Sequence, residues 1–156
     1  MANHLILTLI FSVFLSSCSS PIPTYYYQLD ALAGTPSSAL ETSTAKKIIG
    51  IGPTTLPNLL NRKAIVTRTQ EQTIRLSPTE QWAEPLIENI PRTIARNLAL
   101  LQPNSLFHVY PWQAFGAVDQ RIVLEVFQFD GQLGKSVIFE AAWSIKDEHS
   151  QNVIKQ

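Results

Sequence analysis

Two carboxylates, two glycines and one thiol are the groups in this 156-residue chain whose type and spacing could do chemistry. Glu125 and Glu140 lie on two segments, Arg121–Asp130 and Lys135–Lys146, that read as paired strands. With Asp130 opposite Lys135 across Gly131-Gln132-Leu133-Gly134, Glu125 falls directly across from Glu140. Opposed residues on a ladder lie about 5 Å apart, the separation a retaining glycosidase needs. A two-residue slip of register would part them. No Gly-x-Ser-x-Gly elbow or His-Glu-x-x-His pair accompanies them, so a solvated strand face with a small like-charge penalty is the plainer account. Gly50-x-Gly52 suggests a phosphate cradle, but Pro53 follows and Thr55 stands where a third glycine belongs. Close backbone approach within a strand explains the two glycines better. His4, His108 and His149 lack ligand spacing, and a single cysteine allows neither an internal disulfide nor a multi-cysteine metal site.

The thiol of Cys18 has a different context. From Leu5 to Leu15 only Thr8 and Ser12 are not apolar. A membrane-spanning helix needs about 20 apolar residues, and a run this short fits the apolar region of a secretory signal. Leu15-Ser16-Ser17-Cys18 follows and resembles the bacterial lipobox. In such signals the peptide is cut before the cysteine, which carries a diacylglycerol on sulfur and an acyl chain on its new amine. One acyl chain holds only marginally, at roughly 0.8 kcal/mol per buried CH₂, whereas two or three hold firmly. A plain secretory signal cut elsewhere and a buried N-terminal strand are the alternatives. The first four residues carry no Lys or Arg, so the usual positive start is nearly missing. Ser19 stands where an Asp would resemble an inner-membrane retention address, so it suggests export to the outer membrane.

The elements that must position these groups follow from patterning. Apolar residues make up 45% and charged residues 15%, enough for one cored domain. Twelve Lys and Arg balance twelve Asp and Glu, which leaves no basic face for nucleic acid. The expected organisation is a signal peptide over 1–17, a lipidated start and proline-stiffened tether over 18–24, and one domain over 25–156. Tyr25–Leu29 has β character, and 31–45 is loop-like. Strands are expected over 46–55, ending at Pro53, over 64–69, over 73–76 and over 106–109. Residues 56–62 form a turn or short helical segment. Leu86, Ile87, Ile90, Ile94, Leu98 and Leu101 make a helical stripe that covers the sheet. Pro85 suits its first turn, Pro91 predicts a kink or a restart, and Pro103 closes it. On the strand pair, one face stacks Ile122 on Trp143, Leu124 on Ala141, Val126 on Phe139 and Gln128 on Val137, and must be core. The other face pairs Val123 with Ala142 and Phe127 with Ile138 beside the two glutamates. After a turn at 149–152, Val153-Ile154 starts a further strand, and the domain is expected to be cut short there.

Several short motifs in order resemble the ABC-type transport auxiliary lipoproteins, the PqiC (YmbA-like) family. They are the lipobox with Cys18, Tyr26-Tyr27-Gln28-Leu29, and Ile49-Gly50-Ile51-Gly52-Pro53 leading to Leu56-Pro57-Asn58-Leu59-Leu60. Ile65-Val66-Thr67-Arg68, Trp82-Ala83-Glu84-Pro85-Leu86 with Asn97-Leu98, and Tyr110-Pro111-Trp112 follow. The strand pair with Asp119, Phe129 and Trp143 is the last. The resemblance spans nearly all of 18–146. It implies a compact α/β domain, a mixed sheet covered by helices, with a C-terminal strand and helix of the family missing here. It implies no enzyme activity and no cofactor beyond the acyl groups on Cys18. Its expected setting is the outer membrane, facing the periplasm, beside an MCE-type transport protein and inner-membrane transporter components.

Three functions compete on this reading. The first is a lipid-anchored accessory subunit of an envelope lipid transporter, with Tyr25, Tyr26, Tyr110 and Trp112 as candidate interface aromatics. Half-buried sheet positions explain the same four residues equally well, and self-association stays open. The second is a lipoprotein that carries lipid in a groove beside the 86–101 helix. The third is a secreted hydrolase using Glu125 and Glu140.

Overall fold

The computed structural model describes residues 22–34, 46–71, 73–150 and 153–155. The signal segment, Cys18 and most of the expected 31–45 loop lie outside the described residues. Eight strands and one α-helix follow in the order β1 (Tyr25–Tyr27), β2 (Lys47–Thr55), β3 (Ala64–Arg68), β4 (Ile74–Trp82), α1 (Leu86–Leu101), β5 (Ser105–Val109), β6 (Gln120–Gln132), β7 (Ser136–Asp147) and β8 (Val153–Lys155). The expected mixed α/β sheet is present; among the described residues a single α-helix covers it, where helices in the plural were expected.

β6 organises the sheet because it is much longer than β2 and β3, its neighbours on one flank. Thirteen residues in a strand reach about 40 Å, while β2 has nine and β3 five. One flank of β6 pairs antiparallel with β7 from Gln120↔Asp147 to Gln132↔Ser136. The other flank is shared. Its first half runs parallel to β2, from Ile49↔Gln120 to Thr55↔Glu125, and its far end meets β3 at Thr67↔Gly131. The path across the sheet is therefore β1-β4-β3-β6-β2-β5, with β7 and then β8 beyond β6.

Helix α1 packs on this sheet through the expected stripe. Leu86 and Ile90 join Leu60, Val66, Leu124 and Val126 in one buried cluster. Ala95 joins Ile49 and Ile51 in a second, and Ile94 touches both. Leu101 departs from the stripe and is exposed. Pro91 neither ends nor restarts the helix, which stays one element from Leu86 to Leu101 with Pro91 buried. Proline inside a helix costs roughly 3 kcal/mol, and burying Leu86, Ile90 and Ala95 on either side of it offsets more than that. Pro85 takes the N-cap rather than the first turn.

Two strands run past the ends expected for them. β2 continues through Pro53, which sits at a register shift between Ile51 and Thr54 where no ladder bond is needed. β4 continues through Pro78 to Trp82, well beyond the expected end at Leu76. Pro78 falls in the gap between the β3 pairs at Leu76 and Gln81 and before the β1 pairs at Glu80–Trp82.

The glycines of β2 serve close approach. A Cβ on Gly50 would lie 2.9 Å from Trp112 Cε3, and one on Gly52 would lie 2.7 Å from Tyr110 Cβ. Gly52 also has φ +124°, which side chains rarely adopt. The 110–112 segment thus folds back over β2, helped by a 2.9 Å bond from Tyr110 N–H to the Ile51 carbonyl. Gly50→Ala should lower stability by about 2 kcal/mol through overpacking against the indole. Thermal unfolding should show most of that loss recovered when Trp112→Leu is added, which removes the clashing ring.

Candidate functional site

The carboxylate pair does not form. Glu125 pairs with Ala142 and Glu140 with Gln128. The turn is the reason. β6 continues through Gly131 and Gln132, β7 begins at Ser136, and the reversal occupies Leu133–Lys135, closed by Lys135 N–H on the Gln132 carbonyl at 3.0 Å. Gly134, at φ +70°, takes the left-handed position that a glycine suits. A second irregularity between Val126 and Gln128 lets Phe127 stand outside the ladder. The core-facing pairs are therefore Leu124–Trp143, Val126–Ala141 and Phe129–Phe139, not the expected set. Phe129 replaces Gln128 on that face and stacks on Trp82 at 5.5 Å. The hydrolase reading loses the geometry it rested on.

The four aromatic candidates occupy opposite ends of the sheet. Tyr25 and Tyr26 lie on the edge strand β1, paired with Glu80 and Gln81 of β4, and are 56% and 64% exposed. Tyr110 and Trp112 follow β5 at the other edge. Trp112 is buried on Gly50, so it is a packing residue and not an accessible one. Tyr110 is half exposed and meets Trp112 edge-on at 5.3 Å. Two exposed aromatics escaped the sequence reading. Tyr27 extends the first edge, and Phe115, on a short 3-10 turn at Gln113–Phe115, extends the second and stacks on His108 at 4.7 Å. A three-residue turn is too short to leave a periodic signal for Phe115.

Beside α1, Leu29, Ile90, Thr93, Ile94, Phe129 and Phe139 enclose about 190 Å³. That is below the usual range for a ligand pocket, roughly 300–1,000 Å³. The helix-side groove is present but small.

The strongest electrostatic feature was not foreseen. Asp130 is a buried carboxylate on β6, and Arg68 of β3 donates to it from Nη2 at 2.8 Å and from Nε at 3.2 Å. Gln128 Nε2 donates to its other oxygen at 2.8 Å. The Arg68 hydrogen bond is the main reason the Asp130 carboxyl is held below its ordinary value of 3.8, against the opposing effect of burial.

Comparison with known proteins gives this geometry a family. Residues 27–156 match the family described as the ABC-type transport auxiliary lipoprotein component. The chain belongs to that family. Intermembrane transport lipoprotein PqiC of Escherichia coli K12 is 27% identical over 152 residues, covering 96% of this chain and 77% of the relative. The PqiC of Shigella flexneri matches to the same extent. A crystal structure of an uncharacterised protein aligns with TM-score 0.68 at 18% identity, covering 86% of this chain and 76% of the other. A Xanthomonas campestris protein of the DUF330 family aligns with TM-score 0.60 at 13% identity, covering 83% and 71%. These two likenesses concern the fold. Family membership makes the chain a transport lipoprotein component, and the relatives' names suggest a role without catalysis.

Asp130→Asn should cost about 2 kcal/mol, because it weakens a charge-assisted pair whose arginine still reaches water. A lowered folded-state value means the carboxylate stabilises the fold fully above its unfolded value, near 3.8, and loses that contribution as pH falls further. Urea unfolding of both proteins should therefore show the gap at neutral pH and its closure on acidification below that value.

Proposed function

We propose that this protein is an accessory subunit of an MCE/ABC-type envelope lipid transport system, anchored to the outer membrane and facing the periplasm. The match of residues 27–156 to the transport auxiliary lipoprotein family carries the reading. The lipobox before Cys18 supports the anchor, and Ser19 supports the outer membrane as its destination. Among the described residues no helix is long and apolar enough to cross a bilayer, so attachment falls to the N-terminus in this reading. Diacylglycerol and an N-acyl chain on Cys18 hold the protein at the surface. Residues 18–24 then tether the body at about 3.1 Å per residue, within roughly 20 Å of the lipid.

The work of such a subunit is adhesion. Tyr25 and Tyr26 present exposed rings on a sheet edge close to the tether, a position from which an MCE-type protein or inner-membrane component can be engaged. Tyr110 offers a second contact at the far edge. Maintenance of membrane integrity follows from the transport the complex supports.

Two measurements test this. The intact mass of the membrane-purified protein should equal a chain starting at Cys18 plus one S-diacylglyceryl group and one N-acyl chain, and Cys18→Ala should leave the membrane fraction. An unmodified N-terminus would overturn the anchor. Crosslinking in cells should recover an MCE-type protein, with a loss of about ten-fold in the Tyr25→Ser/Tyr26→Ser variant, typical of two interface aromatics. Recovery unchanged by that variant would move the docking surface elsewhere.

A further inference from the structure

The shared flank of β6 leaves a seam. β3 and β6 meet at one ladder pair, Thr67↔Gly131, and at Arg68–Asp130. Beside that contact the strands diverge around a cavity of about 350 Å³, walled by Ile65, Trp82, Phe129, Leu133 and Val137. Its outer wall is open: Leu133 is 84% and Val137 72% exposed. Past Thr67, Gln132 and Leu133 the cavity continues into a second hollow of about 220 Å³ that carries Arg68, Arg75 and Lys135. On the other side of Ile65 and Leu133 a third, of about 540 Å³, adds Tyr27, Leu76 and Pro78 and shares Arg75. The three hollows of this trough share Thr67 and Leu133; Arg75 and Lys135 line the second, and the third also carries the Glu80 carboxylate, which is held by Ser77 and Thr79.

The cations of the second hollow are unequal. Arg68 is committed to Asp130. Arg75 and Lys135 are exposed and make no ion pair within 4 Å among the described residues. Hydrogen bonds from its own backbone and from Thr69, and to a lesser degree the charge of Arg75, hold the Glu71 carboxyl below its ordinary value, so a carboxylate already lies near Arg75. An occupant must bring an apolar body for Ile65, Phe129, Leu133 and Val137 and a negative group for Arg75 and Lys135. A neutral apolar peptide leaves the two cations unanswered, and a free phosphate leaves the apolar walls wet.

We propose that this seam binds an anionic phospholipid, with one acyl chain laid along Ile65, Phe129, Leu133 and Val137 and the phosphate between Arg75 and Lys135. The site reaches Tyr27 of the β1 edge but not Tyr25, Tyr26 or Tyr110, so it is distinct from the contacts proposed for the accessory role. It also differs from the small cavity beside α1.

The test uses the purified full chain and lysophosphatidylglycerol with a photoactivatable palmitoyl chain, supplied as monomers. After irradiation, labelled peptides should map to 65–67 and 129–137. Labelling should fall about ten-fold in Arg75→Glu/Lys135→Glu, which reverses both free charges, and comparably in Leu133→Asp, which places a charge on the apolar wall. Lysophosphatidylcholine of the same chain should label the wild type several-fold less. That headgroup comparison needs no variant, so a folding defect in either substitution leaves the question decidable. Equal labelling by the two headgroups, label beside α1 instead, or no label in the seam would overturn the proposal and leave the trough to a protein partner.

Discussion

Asp130 sits on β6, the strand that joins β2, β3 and β7 into one sheet, and its pairing with Arg68 holds the joint where β6 meets β3 by a single ladder pair. β6 is long enough to serve β2 and β3 on one flank, but β3 receives a single ladder pair there. Backbone bonds alone would tie β1, β4 and β3 weakly to the rest. The guanidinium supplies what the ladder lacks, two hydrogen bonds to a carboxylate that is itself steadied by Gln128. The Trp82–Phe129 stack bridges the same joint from the apolar side. A charged pair in this position desolvates mainly the carboxylate, because Arg68 keeps a quarter of its side chain in water. The unpaired stretch that remains is the trough.

At the other end of β6 the constraint is steric. Trp112 lies on Gly50, and Tyr110 on Gly52, so β2 can carry side chains at neither position. This packing explains why Trp112, of the four aromatic candidates, is buried while Tyr25, Tyr26 and Tyr110 are exposed. Tyr25 and Tyr26 have only the edge of β4 beside them, while Trp112 is needed inside. The α-helix completes the arrangement by covering both clusters, and Ile94 is where the two cores touch.

A transport accessory protein of this kind needs a stiff body more than a reactive centre. The exposed apolar side chains cluster at the sheet edges and along the β6–β7 hairpin, where Phe127, Val137, Ile138 and Phe139 remain open. Apolar groups in such numbers outside a core mark surfaces that meet lipid or protein. The carboxylates Glu125 and Glu140, separated by the slipped register, belong to the solvated face beside them.

By itself the sequence determined the class of this protein. Periodicity located α1 and most strands, because burial imposes a period of 3.6 or 2 on the residues that face the core. The glycine pair spoke correctly for close approach, since Pro53 and Thr55 break the alternative. The ordered motifs identified the family. What it could not determine was register and reach. The reversal fell at Leu133–Lys135 rather than at 131–134, and the bulge at Phe127 took back only one residue of the shift, leaving the two-residue slip that parts Glu125 from Glu140. Prolines 53 and 91 were legible as breakers, but each was overruled by its surroundings: a register shift for the first and a buried stripe for the second. Asp130, Arg68 and the trough were invisible for the same reason. They exist only because one long strand brings residues more than sixty positions apart to a single joint, and no local pattern encodes that.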